Sequence, residues 1–319
     1  MDRSLYGVID ASANRAMEGL RVCENTLRFV LKDETHALTL KSLRHQLAAA
    51  LKCFPAESLL AGRDVEGDPI KFHDLPSEKK TRSLQELLRK NLHRTMESLR
   101  TLEEFVKLLL PSGDNPFQGI RFALYSQEKE LVTRLNRRDR TQRLEGALYV
   151  ILDETFVPDG EFLRTAEAML RGGAAVIQLR MKKASRGRVL EEARQLALLC
   201  REYDALFIVN DYPDIAELAW ADGVHLGQGD LPIGETRRLL SPGRIIGIST
   251  HSQEEAEQAL KEGPDYLAVG PVCDTRTKAG ELMPGMGFDA ARRLIASIPL
   301  PTVCIGGLGP ENLGELMGT

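Results

Sequence analysis

Ala174-Ala-Val-Ile-Gln178-Leu-Arg180-Met-Lys182 is a short apolar run that ends in polar residues, and the pattern of an amphipathic helix follows it. The same unit of strand, polar turn and helix occurs seven times between Ala147 and Leu308. This alternation predicts a parallel sheet, because each parallel strand needs a crossover to return to the same edge. In a closed barrel of this kind every strand ends at one rim. We therefore expect the polar turns to converge on a single pocket.

The turns that follow the strands hold most of the chemically suggestive residues. They read Gln178-Leu-Arg180-Met-Lys182, Asn210-Asp211, Gly227-Gln228-Gly229-Asp230, Ser249-Thr250-His251, Thr275-Arg-Thr277-Lys278 and Gly306-Gly307. The side chains of Arg180, Lys182 and Lys278 are cations suited to oxyanions, and the glycine pair exposes backbone N–H groups. The sequence therefore predicts a phosphate site at the rim.

Two acidic residues follow neighbouring strands, Asp211 after the third and Asp230 after the fourth. Two carboxylates beside phosphate-binding cations favour Mg²⁺ bound to a diphosphate or triphosphate. The alternative is that each aspartate caps the helix after it, starting near Tyr212-Pro213 or Leu231-Pro232. Capping does not exclude metal binding.

Neutral amide groups complete the predicted pocket. Gln178 and Asn210 carry amides that can read the nitrogens of a heterocycle. His225 and His251 are interpreted as core or capping residues and are left out of the catalytic set. The sequence has no nucleophile elbow, P-loop or zinc-protease motif, which suits displacement of pyrophosphate with help from Mg²⁺.

Composition limits the class of protein. The chain has 319 residues, of which 43% are hydrophobic and 28% charged, with a net charge of −4. This balance is ordinary for a globular protein and gives no reason to expect a nucleic acid or an anionic membrane as partner. The five cysteines are widely spaced, so disulfides are not expected and a reducing cytoplasm fits best.

The chain divides by pattern into an all-α domain and an α/β domain. Residues 1–138 show helical periodicity, residues 139–146 are read as a charged linker, and residues 147–319 form the predicted TIM barrel.

The helical domain contains an internal repeat. The series that begins at Arg15 and ends at Glu24 returns 79 residues later, from Arg94 to Glu103. This predicts a duplicated helical hairpin with approximate two-fold symmetry. The charges are either a solvated, self-paired surface or a paired-charge site between the hairpins. Between the hairpins, Gly62-Arg63-Asp64-Val65-Glu66-Gly67-Asp68 is either a phosphate and Mg²⁺ site or an exposed connection.

From Gln178 to Gly307 the ordered rim motifs resemble those of the thiamine phosphate synthases, over residues 147 to 319. The resemblance implies a transferase that condenses hydroxymethylpyrimidine diphosphate with a thiazole phosphate. It assigns roles by position. Gln178 and Asn210 would hold the pyrimidine, and Asp211 and Asp230 would bind Mg²⁺. Arg180, Lys182, Ser249 and Lys278 would bind the diphosphate, whereas Thr275, Thr277 and Gly307 would face the thiazole phosphate.

Seven strand units are one fewer than a (βα)8 barrel has. We therefore expect a barrel truncated before the eighth unit, and weak activity or none.

The helical half resembles a domain that some bacteria fuse to thiamine phosphate synthase and that is assigned hydroxymethylpyrimidine phosphate kinase activity. The matching residues are Asp10-Ala-x-x-Asn14-Arg15, Glu18-Gly-Leu-Arg21, Glu24, Arg28-Phe29, Leu43-Arg44-His45 and Arg63-Asp64. The resemblance implies ATP as a substrate and a bifunctional enzyme. We expect Arg15, Arg21, Arg63, Asp64 and Arg94 near the phosphates.

Two alternatives stay open. One is a thiazole-processing isomerase on the same barrel fold, and the other is a catalytically silent barrel with a helical binding or dimerisation module. The sequence leaves the oligomeric state open, a homo-oligomer included.

Overall fold

The computed structural model describes residues 2–64, 81, 83–109, 115–275 and 282–316. The chain divides into two compact units, Met1–Thr133 and Arg134–Thr319. None of the helices in these described ranges combines the length and the apolar character needed to cross a membrane.

The first unit is helical throughout its described residues. Its helices are α1 (Asp2–Asn25), α2 (Glu34–Ala50), α3 (Ala56–Gly62), α4 (Leu84–Leu109) and the first part of α5 (Pro116–Gln142), with a π-helical turn at Thr26–Leu31 and a 3-10 turn at Leu51–Cys53. The part of α5 after Thr133 belongs to the second unit. The chain reverses after the π-helical turn because Lys32 takes a left-handed conformation (φ 55°). The Asp33 side chain then caps α2 by accepting the His36 N–H.

The hairpins α1–α2 and α4–α5 pack as copies of one unit. Residues 79 positions apart share their environment, as Leu20 and Leu99 do, both fully buried. Helices α1 and α4 approach closely at small residues, since a Cβ added at Gly19 would lie 2.4 Å from Thr95 Oγ1. The duplicated hairpin predicted from the repeat is confirmed.

Each hairpin contains the same buried ion pair. In the first, Arg44 Nε lies 2.8 Å from Glu24 Oε2. In the second, Arg121 Nε lies 2.5 Å from Glu103 Oε1. The charge ladder is therefore divided: Glu24 and Glu103 are buried and each binds an arginine of the second helix of its hairpin, whereas Glu18 and Glu97 are exposed. The exposed part agrees with the solvated surface, and a paired-charge site between the hairpins stays a prediction.

The outer arginines of the repeat stay exposed and reach the same acids from the edge. Arg21 Nη1 lies 3.9 Å from Glu24 Oε1, and Arg100 Nη1 lies 2.9 Å from Glu103 Oε2. Burial raises the pKa of Glu103, but the hydrogen bonds from Arg121 and Arg100 outweigh burial, so this pKa lies below its usual value.

In the second unit, the described residues form one parallel sheet with strands in chain order from β1 to β7. The strands are β1 (Leu148–Asp153), β2 (Ala174–Arg180), β3 (Leu206–Asn210), β4 (Gly223–Leu226), β5 (Ile245–Thr250), β6 (Tyr266–Val269) and β7 (Thr302–Cys304). The helices between them are α6 (Phe162–Arg171), α7 (Arg186–Glu202), α8 (Pro213–Leu218), α9 (Ile233–Leu239), α10 (Gln253–Glu262) and α11 (Phe288–Ser297), and a 3-10 turn lies at Leu313–Glu315. The sheet is a nearly closed barrel, as the alternation predicts.

The strands alternate between two cores, one on each face of the sheet. Ile177 and Leu179 pack outward against the helices, whereas Val176 packs inward with Tyr266. The inner space is so filled that a Cβ added at Gly247 would lie 2.0 Å from the Tyr266 ring. Period-two alternation therefore sends the side chains of Gln178 and Arg180 into the barrel toward its carboxyl-end rim.

The predicted linker, 139–146, is not an extended connection. Helix α5 runs without a break to Gln142, and a turn occupies residues 143–146. Arg140 accounts for the difference: its Nε lies 2.9 Å from Asp222 Oδ1, and its Nη1 donates to the Gly243 carbonyl at 2.6 Å. Arg140 belongs to the charged stretch that suggests a solvated segment, but its side chain binds residues at the amino ends of β4 and β5. The domain boundaries stay a prediction.

Replacing Glu103 by alanine should lower the free energy of unfolding by about 3–5 kcal/mol, because Arg121 would keep a buried charge without its carboxylate. The matched control is Glu104→Ala, whose side chain is 45% exposed and should cost less than about 1 kcal/mol. Urea unfolding followed by circular dichroism measures both. The Glu103 contribution should be present at neutral pH and fade as the pH falls through its lowered pKa. Equal losses in the two variants would contradict the prediction.

Candidate active site

Carboxylates from two adjacent loops meet at the carboxyl ends of β3 and β4. Asp211 takes a left-handed conformation (φ 64°), and its N–H donates to the His225 carbonyl at 2.8 Å. Asp230 Oδ2 accepts the Gly227 N–H at 2.6 Å, which closes the turn after β4. The side chains of Asp211 and Asp230 lie within hydrogen-bond reach of each other. The sequence prediction that these loops bring two acids together therefore agrees with the structure.

A single lysine lies beside this carboxylate pair. Lys182 Nζ is 2.9 Å from Asp211 Oδ2. Burial raises the pKa of Asp230; the Gly227 N–H opposes the rise, the Asp211 carboxylate adds to it, and Lys182 opposes it. When both acids are ionised, the three side chains carry a net negative charge, which favours a bound cation.

The donor set fits Mg²⁺. This ion is usually held by one or two carboxylates together with substrate phosphates and water. Asp211 and Asp230 supply the carboxylates, and Lys182 lies where it can meet a phosphate. Within the described ranges, no group of three or more His, Cys, Asp or Glu side chains is placed to hold a metal.

Helix capping does not explain the two aspartates. The N-cap of α8 is Tyr212, and the N-cap of α9 is Pro232. Asp211 is directed to Lys182, and Asp230 to its own turn.

Arg180 points to a different neighbour from Lys182. Its Nη1 pairs with Asp153 at the end of β1, and the two residues are paired in register across β1 and β2. Asp153 is almost wholly buried and also accepts the Thr155 N–H at 2.8 Å. Burial raises its pKa, but the hydrogen bonds from Thr155 and Arg180 bring it below the usual value. Asp153 is therefore an ionised anchor that fixes the Arg180 guanidinium.

A chain of hydrogen bonds crosses the interior of the barrel. Gln178 Nε2 donates to the Tyr149 hydroxyl (3.1 Å), which lies 3.0 Å from the Tyr266 hydroxyl. The Tyr266 hydroxyl is 3.1 Å from His225 Nδ1, and His225 Nε2 is 3.0 Å from Ser249 Oγ. Two predicted site residues, Gln178 and Ser249, are thus linked through three others.

Asn210 is buried at the end of β3 and is paired in register with His225. It lies one residue before Asp211, so the predicted heterocycle-binding amide and the predicted metal ligand share one turn. His251 lies outside this group: its Nδ1 is 2.8 Å from Glu255 Oε2, and the residue that caps α10 is its neighbour Ser252, whose side chain accepts the Glu255 N–H.

The rim after β6 and β7 is described in part. Thr275 exchanges two backbone hydrogen bonds with Met283, of 3.0 and 2.8 Å, whereas Thr277 and Lys278 lie outside the described residues. Gly307 has φ 64°, and a Cβ there would lie 2.6 Å from the Asp274 carbonyl. Glycine is therefore needed at this position, whichever ligand its N–H meets.

In the helical unit, Arg63 forks onto a carboxylate of its own chain. Its Nε and Nη2 donate to the two oxygens of Asp10 at 2.8 and 2.9 Å, and Asn14 donates to the same side chain at 3.2 Å. Asp64 follows and is exposed, whereas residues 65–68 of the glycine-rich segment lie outside the described residues.

The remaining predicted residues of this unit are exposed on its two long helices. Arg15 on α1 and Arg94 on α4 are equivalent positions of the repeat, and Arg21 lies six residues further along α1. Only Arg63 among the predicted set lies in the Asp10 cluster.

Three residues of the site, Asp153, Tyr149 and Tyr266, are not predicted from the sequence patterns. A signal for Asp153 exists, because an acid that ends β1 lies in register with the arginine that ends β2. The tyrosines lie within apolar strands and resemble ordinary core residues. Their hydroxyl contacts are made with residues on other strands, so sequence spacing does not indicate them.

Comparison with known proteins gives matches over both units. A family model described as thiamine monophosphate synthase matches residues 148–319, and a model of the ThiD2 family matches residues 7–130.

Similar proteins extend over nearly the whole chain. A thiamine-phosphate synthase of Nostoc punctiforme is 39% identical over 98% of this chain and 85% of its own length. Another, from Synechocystis, is 40% identical over 97% of this chain and 87% of its own length. Among solved structures, a thiamine phosphate pyrophosphorylase from Pyrococcus furiosus is 38% identical, covers 55% of this chain and 81% of its own, and has a TM-score of 0.49.

Removing the charge of Asp211 and removing the charge of Lys182 should shift the pKa of Asp230 in opposite directions. Asp211→Asn should lower it, because the nearby negative charge is lost, and Lys182→Met should raise it. Carboxyl NMR titration without divalent cations measures the shifts. Asp204→Asn, at a nearly fully exposed side chain, is the matched control and should leave this pKa unchanged. If Asp211→Asn has no effect, the two carboxylates do not share a site.

Proposed function

The chain belongs to the thiamine monophosphate synthase family, and we propose that its barrel joins hydroxymethylpyrimidine diphosphate to a thiazole phosphate. The products are thiamine phosphate and pyrophosphate. The main structural support is the meeting of Lys182, Asp211 and Asp230 at the rim where β3 and β4 end. Such a cluster serves a reaction whose leaving group is a diphosphate.

The residues divide between the two ends of the pyrimidine substrate. Gln178 and Asn210 hold the ring through their amides. Arg180, Lys182 and Ser249 bind the diphosphate, together with Lys278, and the buried Asp153 carboxylate keeps Arg180 in place. We assign Thr275, Thr277 and Gly307 to the thiazole phosphate.

The chemistry asks the protein chiefly to stabilise charge. The bond between the methylene carbon of the pyrimidine and the diphosphate oxygen breaks, and the electron pair leaves with pyrophosphate. The thiazole nitrogen then forms its bond to that carbon. Arg180, Lys182 and Lys278 stabilise the charge that develops on the leaving oxygens, which in a site shielded from water contributes more than it would in bulk solvent.

Mg²⁺ is the ion that we propose for Asp211 and Asp230, with the remaining ligands from the diphosphate. When bound, it neutralises the leaving pyrophosphate. The raised pKa of Asp230 agrees with this role, because a half-buried pair of carboxylates would be stabilised by a bound cation.

For the helical unit we propose phosphorylation of hydroxymethylpyrimidine phosphate by ATP, which makes the diphosphate that the barrel uses. The match to the ThiD2 family and the Asp10–Asn14–Arg63 cluster support this assignment. Arg63 binds a phosphate in the proposal, and Arg15, Arg21, Asp64 and Arg94 are assigned to the same substrates.

This kinase reaction needs no general base. The acceptor is itself a phosphate monoester, and with a second pKa of about 6 it is largely a dianion at neutral pH. The attacking oxygen therefore carries no proton to be removed, and a site made of arginines and acids suffices for positioning and charge.

Small molecules are the partners that both reactions require. A reducing cytoplasm stays a prediction, which rests on the number and spacing of the cysteines.

Asp211→Asn should lower kcat/KM for thiamine phosphate formation by about 100-fold or more, since an electrostatic group at the leaving diphosphate is lost. The assay supplies the 319-residue chain with hydroxymethylpyrimidine diphosphate, thiazole phosphate and Mg²⁺. Asp214→Asn, three residues away in an exposed pair with Arg186, is the matched control and should keep full activity. Removal of Mg²⁺ by a chelator should abolish product formation. A parental chain that binds neither substrate would refute the synthase proposal.

Arg63→Met should reduce ATP-dependent formation of hydroxymethylpyrimidine diphosphate by about 100-fold or more, because a cation at the transferred phosphate is lost. The same variant should still form thiamine phosphate when supplied with the diphosphate directly, which shows that the barrel is intact. Arg89→Met, at an exposed position of α4, is the matched control. Unchanged kinase turnover in Arg63→Met would overturn the assignment of this residue.

A further inference from the structure

Five side chains on five strands form one continuous hydrogen-bonded series inside the barrel. They are Gln178 on β2, Tyr149 on β1, Tyr266 on β6, His225 on β4 and Ser249 on β5. Each link measures 3.0 or 3.1 Å, which is ordinary hydrogen-bond length. The series ends at two residues to which the proposed function gives different jobs, one at the pyrimidine and one at the diphosphate.

We propose that Tyr149, Tyr266 and His225 are positioning residues that fix the donor and acceptor sense of Gln178 and Ser249 together. This inference rests on the proposed synthase function. The three residues in the middle of the series would orient the hydrogen-bonding groups at both of its ends.

We assign the direction of the series by starting from its first link, because either phenol can donate in the Tyr149–Tyr266 pair and the roles of the His225 nitrogens depend on the tautomer. An amide nitrogen can only donate, so Gln178 Nε2 gives its hydrogen to the Tyr149 oxygen. Tyr149 then directs its own hydrogen to the Tyr266 oxygen, and Tyr266 directs its hydrogen to His225 Nδ1. With Nδ1 as the acceptor, the neutral imidazole carries its hydrogen on Nε2 and donates to Ser249 Oγ.

Each end of the series consequently presents one defined hydrogen-bonding group to the ligand. The Ser249 oxygen accepts from His225, so the serine keeps its hydroxyl hydrogen for an anionic oxygen. Gln178 uses its nitrogen inward, so its carbonyl oxygen is left to accept from an amino group on a heterocycle. Reversing any one link reverses every later one, and Ser249 would then turn its hydrogen toward His225 instead.

The surroundings enclose most of this series, since Gln178 and His225 are buried and Tyr149 and Ser249 are half-buried. Tyr266 is fully buried, and its ring fills the space beside Gly247. The Gln228 side chain donates to the Ser249 carbonyl at 2.7 Å, which holds the backbone at the far end. Burial also raises the pKa values of Tyr149 and Tyr266, so both phenols stay protonated and able to donate at neutral pH. In such an environment hydrogen bonds polarise one another, and the effect of a change at one end reaches the other.

The test measures coupling between the ends with inorganic pyrophosphate as the probe, bound to the full chain in the presence of Mg²⁺ and followed by calorimetry. Pyrophosphate occupies the Ser249 end and has no ring to contact Gln178. Gln178→Ala should nevertheless weaken its binding roughly three- to tenfold, the size of a coupling through shared hydrogen bonds. In a Tyr266→Phe background the same substitution should have no further effect, because the series is already cut.

A second cut and a matched control make the result specific. Tyr149→Phe should remove the coupling as Tyr266→Phe does, and either variant suffices if the other does not fold. Tyr203→Phe also removes one tyrosine hydroxyl, but from an exposed site that contacts Glu167, and the coupling should persist. Nitrogen NMR of the parental chain should show His225 protonated on Nε2.

The outcomes separate this inference from the function beneath it. A parental chain that neither binds pyrophosphate nor makes thiamine phosphate contradicts the synthase proposal itself. A chain that does both, but whose pyrophosphate affinity is indifferent to Gln178→Ala, refutes the coupling alone. His225 protonated on Nδ1 overturns the proposed direction.

Discussion

The architecture of the barrel depends on one constraint: parallel strands must all end at the same rim, because each returns through a helix on the outside. That constraint puts Lys182, Asp211 and Asp230 within reach of one another although they come from three loops. It also leaves the inner face of the sheet with no helix to pack against, so side chains from the strands must fill it alone. Apolar residues do so toward the amino ends, and polar groups replace them toward the rim.

In the helical unit the main requirement is different, because two equivalent hairpins must pack against each other. Small residues such as Gly19 bring α1 and α4 close together, and each hairpin neutralises one buried acid with one arginine from its second helix. A buried charge pair adds little net stability over a well-packed apolar pair, but losing one partner is costly. The duplicated pair therefore fixes how the two helices of each hairpin align.

Sequence patterns with a period predicted most of this structure. The strand and helix alternation, the 79-residue repeat and the placement of Asp211 beside Asp230 all follow from spacing. What spacing could not supply was the partner of each polar group. Arg63 binds Asp10, which lies 53 positions away in the chain. Arg140, in the charged stretch at the end of α5, binds Asp222 next to β4. Tyr149 and Tyr266 resemble core residues because, apart from one hydroxyl each, they pack as such.

Gly247 and Tyr266 form a size-matched pair on neighbouring strands, since the ring lies where any larger residue on β5 would have to go. We therefore expect substitutions at the two positions to be linked. A descendant that gains a methyl group at position 247 must shrink the aromatic side chain opposite, and the phenol disappears with the ring. Such lineages would need another hydrogen-bond partner for His225 Nδ1 in place of the Tyr266 hydroxyl. Covariation between positions 247 and 266 would therefore show whether a related protein retains the hydrogen-bonded series.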